Sequence, residues 1–207
     1  NEVIVKAEDV DEFKDFKLKT LEDNGRTSSY SFDKGFSFVK NGRLISHTAA
    51  DFKFVNGSLK LVDNDNDGAY EFCIAENLQY FVVSAVDSQS KVIYDADSYY
   101  TNISFFDLSD KSYQVFIDGE KSDFTKIKTE NVFGVAMSED QKVLRMYGSG
   151  DVVSGTLESV ENGSDRLIIK GTEYETNDYF QAKGYLLESG KSYKFLLSES
   201  GVVTACL

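Results

Sequence analysis

The sequence predicts an all-β protein: two to three small barrel-like or sandwich-like β units in tandem, with short helical turns. Three observations carry this. Apolar residues alternate over short runs, the period of a strand with one buried face. Asn-Gly and Asp-Gly pairs recur between those runs and supply the positive φ that tight hairpins need. Proline, which would delete a ladder donor, is absent from all 207 residues.

Taken in order, the first segment is Ala7 to Leu18, AEDVDEFKDFKL. Val10, Phe13 and Phe16 recur at three-residue spacing and fit a short helix or irregular turn, whereas KDFKLKTL alternates as a strand, and the strand is favoured. Strands follow at Phe36 to Val39, Ser58 to Val62, Tyr113 to Ile117, Arg166 to Lys170 and Tyr193 to Leu197. Turn pairs stand at Asn24-Gly25, Asn41-Gly42, Asn56-Gly57, Asp67-Gly68, Asp118-Gly119 and Asn162-Gly163. Near Ser46 to Phe54 and Ser122 to Lys128, a hydroxyl residue precedes an acidic and then an apolar one, which predicts single capped turns.

These pieces form an internal repeat: strand, glycine turn, strand, one-turn connection, strand, polar turn, strand. Gly42, Gly119 and Gly171 occupy one place in the order, and DNDNDG, SEDQK and SESG another. The domains predicted are 1–97, an N-terminal β unit with the acidic turn; 98–149, a middle unit; and 150–207, a C-terminal barrel-like unit. Joints are expected at Asp95 to Ser98 and Gly148 to Asp151, where polarity rises.

Composition narrows the partners. Hydrophobic residues make up 41% of the chain, enough for a core. Acidic residues outnumber basic ones 35 to 22, giving a net charge of −13 with no Lys/Arg cluster. Such a field repels phosphate backbones and anionic lipid, so neither nucleic acid nor membrane insertion is expected, and no apolar run reaches the roughly 20 residues that span a bilayer. A chain opening on Asn1 without a start methionine or signal-like segment reads as a processed product or, preferentially, as a segment of something longer. Cys73 and Cys206 read as two buried free thiols or as a disulfide tying down the C-terminus.

The one candidate metal site is "LVDNDNDGAYEF", Leu61 to Phe72. Asp63, Asp65 and Asp67 sit at alternate positions before Gly68, with Ala69 placed to give a carbonyl and Glu71 at the ninth position, as in loops that wrap Ca²⁺. Ile74 stands where an EF-hand has its bidentate glutamate, and Asp and Asn are also good turn residues, so a solvated acidic turn is the competing reading. The tandem Tyr99 and Tyr100 offer a candidate sugar-stacking platform, with half-buried strand-flanking rings as the alternative. His47 is the sole histidine, lacks any nucleophile or metal motif around it and reads as a surface turn or cap residue. No enzyme is expected.

The run "KLVDNDNDGAYEF", "YFVVSAVDS", "KVIYD", "YQVFIDGEKSDFTKI", "VFGVAMSEDQKVLRMY", "VSGTLESV", "LIIKGTEYET" and "YKFLLSESGVVTACL" resembles the non-anchor β-rich region of secreted Gram-positive cell-surface proteins that carry S-layer homology modules. The resemblance covers Val39 to Leu207 and lies in the order of short elements; Ser198 and Glu71 stand where that family more often has Asp. It implies an extracellular, cell-wall or cell-surface location, with a cell-envelope protein or polysaccharide as partner. The expected role is a non-catalytic structural or interaction segment; the alternative is a carbohydrate- or protein-binding adhesion module.

Overall fold

The computed structural model describes residues 1–96, 105–161, 163 and 165–207. The chain is mostly strand, as the alternation predicts, and divides into two compact units: residues 1–78 with 136–144, and 79–135 with 145–207.

In the first unit, β1 (Glu2–Lys6), β2 (Val10–Lys14), β3 (Lys17–Leu21), β4 (Thr27–Lys40), β5 (Arg43–Ile45), β6 (Gly57–Val62) and the start of β7 (Ala69–Asp87) form one ladder system. β1 pairs antiparallel with β6, and β6 with β7, placing Val5 opposite Leu59 and Leu61 opposite Cys73. β7 then lies parallel to β4, Phe38 against Cys73, while β4 pairs with β3 and β3 with β2. β1 and β2 are consecutive in the chain, joined by a 3-10 turn at Ala7–Asp9. The stretch from Ala7 is therefore turn and strand together, not helix.

Period-two alternation then decides the core. Val5, Leu18, Phe38, Leu59, Leu61 and Cys73 are buried together. Phe52, on the 3-10 turn Ala49–Phe52, seals it: Thr48 and Asp51 cap that turn reciprocally, and Phe13 stacks on Phe52 at 3.9 Å between ring centroids.

The second unit holds the rest of β7, β8 (Val92–Asp95), β9 (Phe105–Asp107), β10 (Ser112–Ile117), β11 (Glu120–Ser122), most of β12 (Val132–Met137) and β13 (Val143–Ser149), and a five-stranded sheet. That sheet comprises β14 (Val152–Glu161), β15 (Arg166–Ile169), β16 (Thr172–Glu175), β17 (Ser192–Leu197) and β18 (Val203–Cys206), in the order β16-β15-β14-β17-β18. A six-residue helix α1 (Asp178–Lys183), capped by Asn177 and ended by Gly184 in the left-handed conformation, buries Tyr179 and Phe180.

The repeat order is visible in the elements. β4/β5, β10/β11 and β15/β16 are hairpins whose turns share one signature: Asn41-Gly42, Asp118-Gly119 and Lys170-Gly171 all have φ between 47° and 80°. Each is followed by a short helical segment and a second strand pair. The repeats do not close as separate antiparallel barrels, however. In the first two the first strand lies beside the last, β4 with β7 and β10 with β13, whereas in the third β14 stands between β15 and β17 and β18 lies at the sheet edge.

Of the expected joint residues, 97–98 lie outside the described residues, Gly150 and Asp151 separate β13 from β14, and Asp95, Gly148 and Ser149 are packed. Asp95 ends β8 and is buried, its Oδ1 accepting from Tyr179 Oη at 3.0 Å and Val82 N at 3.2 Å. Gly148 belongs to β13, where a Cβ would meet the Phe133 ring at 2.3 Å, so this glycine allows close packing and does not loosen a linker. Local polarity and glycine read as a linker because their tertiary partners are distant in sequence.

Candidate metal centre in the acidic turn

The acidic turn joins β6 to β7, and its geometry begins with the ladder that precedes it. The β1–β6 pairing continues to Asn1 and Asp63, whose backbone groups exchange hydrogen bonds of 2.6 and 2.9 Å. Asn66 and Gly68 then take φ values of 60° and 94° to reverse the chain.

Asp63 is buried although it is an aspartate. Its Oδ1 accepts from Asn66 N at 2.6 Å and its Oδ2 from Gly68 N at 3.2 Å, so the carboxylate supplies the acceptors that the turning backbone needs. Glu71 Oε2 reaches back to accept from Asn64 N at 2.8 Å. Asp65 Oδ1 accepts from Asp67 N at 3.2 Å, and Asp67 Oδ1 from Ala69 N at 2.8 Å.

Carboxylate oxygens of Asp63, Asp65 and Glu71 lie within 4.8 Å of one another. Asp67 stands outside this trio, and Ala69 opens β7 opposite Ser31 of β4. Tyr99 and Tyr100 fall outside the described residues.

The fold adds a fifth acid. In the parallel β4–β7 register Phe32 faces Tyr70 and Ser37 faces Phe72, so residues 33–36 bulge out opposite Glu71 alone. That bulge brings Asp33 to the turn. Its carboxyl is held above the usual range, first by desolvation and then by the charges of Asp67, Glu71, Asp65 and Asp63. The Tyr70 hydroxyl is likewise raised, by burial, then by Tyr30, then by Asp63. Asp33 has one sequence signal, the Asp-Lys-Gly interruption of an alternating strand, but nothing local names the turn it will face.

A hard cation takes six to eight oxygens. The trio offers carboxylate lone pairs not used by backbone donors, with Asp33 adjacent, so the donor chemistry fits Ca²⁺ once water or loop carbonyls complete the shell. Bringing these charges together is unfavourable without a counter-ion, which sets the direction of any metal effect.

The histidine and the buried cysteine serve packing. His47, half-buried immediately before the capping Thr48, packs on aromatic rings: its ring lies 4.4 Å from Phe36 and 5.5 Å from Phe38, between centroids, and edge-on to Phe13 and Phe52. Both cysteines are free, and burial pushes the Cys73 thiol up to about 12, which keeps it a neutral core residue. No protein-family model matches the chain, and a search of curated proteins returned no match.

Proposed function

We propose that the chain is a non-catalytic structural or adhesive segment of a secreted bacterial cell-surface protein, built from small β units in tandem and stiffened by one Ca²⁺ at the acidic turn. The cell-surface assignment follows the resemblance of the Val39 to Leu207 order to regions that accompany S-layer homology modules. The observation that carries the non-catalytic reading is the use made of the acids held below their ordinary range. Asp87, Asp107, Asp123 and Asp140 are all held below the usual range chiefly by hydrogen bonds from residues two or three positions away, and Asp51 by Lys40 and then by its own cap residue Thr48. Such acids staple turns and are not poised for proton transfer.

Calcium titration with thermal melting tests the metal. A ligand that binds only the folded chain must raise its melting temperature. Asp65→Ala removes one exposed 3.2 Å contact, so it should abolish that rise while leaving calcium-free stability unchanged. Asp63→Ala strands two backbone donors and should cost about 1–3 kcal/mol even without metal. No rise with millimolar Ca²⁺ rejects the metal. The envelope partner is tested by co-sedimentation with isolated Gram-positive cell walls, and failure to sediment rejects the adhesive reading.

A further inference from the structure

The first unit contains a second feature, independent of the acidic turn. Lys40, Asn41, Ile45, Asp51, Met137 and Glu139 line a cavity of about 320 Å³, at the small end of the range for ligand sites. Its walls come from the end of β4, from β5, from the capped turn before β6 and from the 136–144 hairpin tip, all inside one unit.

The wall is fixed at its centre. Asn41 Nδ2 donates to Met137 O at 2.8 Å and its Oδ1 accepts from Asn77 N at 2.9 Å, so one side chain ties β4, β7 and the hairpin tip together. Beside the tip, Arg43 pairs with Asp140 at 3.0 Å. The cavity is therefore a standing feature of the strand geometry.

Its charges are unequal. Lys40 is neutralised by Asp51 at 2.9 Å, both side chains largely shielded, and the other Asp51 oxygen accepts from Thr48 N and Oγ1. Among the described residues Glu139 has no ion-pair or hydrogen-bond partner, and it is exposed at the rim. The lining thus carries one uncompensated negative charge above an apolar wall of Ile45 and Met137. A ligand carboxylate would face two acids and a lysine already engaged; an ammonium would find a free acceptor. The net charge of −13 also raises the local concentration of cations.

We propose that this cavity binds a primary ammonium group on a short aliphatic stem, the ammonium at Glu139 and the stem against Ile45 and Met137. The same chemistry is offered by a lysine side chain of a peptide and by a free alkyl diamine, so two probes separate the sources. One is Nα-acetyl-lysine methylamide, with its Nε-acetyl derivative as the uncharged control; the other is cadaverine.

Titration of the full chain is followed by amide ¹H–¹⁵N spectra. The amides of Asn41 and Asn77, which sit on the cavity's hydrogen-bond frame, should shift saturably with the charged probe and not with the acetylated one. Glu139→Gln, at an exposed position, should leave the melting temperature unchanged and weaken binding about fivefold, the upper range for an exposed charge pair. Glu199→Gln, in the other unit, should change nothing. A peptide-lysine site favours the blocked lysine over cadaverine, and a diamine site reverses that order. Absence of saturable shifts at these amides, equal binding of the acetylated control, or unchanged affinity in Glu139→Gln overturns the proposal.

Discussion

Gly57 shows how one dipeptide signal covers two physical situations. Asn-Gly at residues 24–25 and at 56–57 reads alike as a hairpin turn. At Gly25 the structure agrees: φ is +81° and a Cβ there would meet nothing within 4 Å. Gly57 instead opens β6 opposite Asn77, with φ +119°, and a Cβ would stand 1.8 Å from the Glu76 carbonyl oxygen. The first glycine answers a conformational demand and the second a steric one as well. Gly25→Ala should therefore cost about 1 kcal/mol, the strain of a left-handed non-glycine residue, and Gly57→Ala at least about 2 kcal/mol. Urea unfolding of the two variants measures the difference, and equal losses would refute the close approach. A comparable residue-scale economy explains why Asp63 is buried: it replaces water for two backbone donors of the loop.

Among the elements, the one-turn connections matter more than their length suggests. The turn Ala49–Phe52 drives Phe52, with no exposed surface, among Phe13, Phe32 and Phe38, and so converts a polar linker into the seal of the first unit's core. Phe52→Ala should lower stability by about 3–5 kcal/mol, since a ring-sized cavity among other rings collapses poorly. A loss below about 1 kcal/mol in denaturant unfolding would show that the turn is dispensable. This turn and the one at Phe124–Lys126 were legible because hydroxyl, acid and aromatic lie within a few residues of each other. The strands were legible for the same local reason, as was the acidic turn. The helix α1 leaves no periodic signal in the sequence, although Asn177 and Gly184 bracket it, because six residues are too few to show a helical period. Asp33 at the acidic turn and the cavity around Glu139 were illegible for a deeper reason. Both are assembled by pairings between residues far apart in sequence, the parallel β4–β7 register and the contact of Asn41 with Met137. No periodicity records which distant strand becomes a neighbour.

At the scale of the whole molecule, opposed sets of carboxyls decide the response to acid. Asp51, Asp87, Asp107, Asp123 and Asp140 have folded-state values below the ordinary 3.8. Folding therefore favours their ionised forms, and the stability they contribute is complete above that ordinary value and lost as pH falls through the lower folded ones. Asp9, Asp33 and Glu199 are raised, in each case first by desolvation. Their ionisation opposes folding at neutral pH, and that cost is relieved as pH falls through their raised values. Net charge acts in the same direction as this second set: −13 at neutrality shrinks toward zero at the isoelectric point near 4.5, and self-repulsion shrinks with it. Acidification from neutrality should thus first raise the melting temperature and then, below about pH 4, lower it as the turn-stapling aspartates take up protons. Calorimetry in chelator-containing buffer across about pH 3 to 8 locates the maximum, expected on the acid side of neutrality. Added salt should flatten the rising limb, because screening already removes the repulsion that acid removes, and should spare the falling limb, which reflects short hydrogen bonds. A melting temperature that does not rise between about pH 7 and 5 would mean that the crowding of Asp33 with the acidic turn costs the fold nothing, since the stapled aspartates do not titrate in that window.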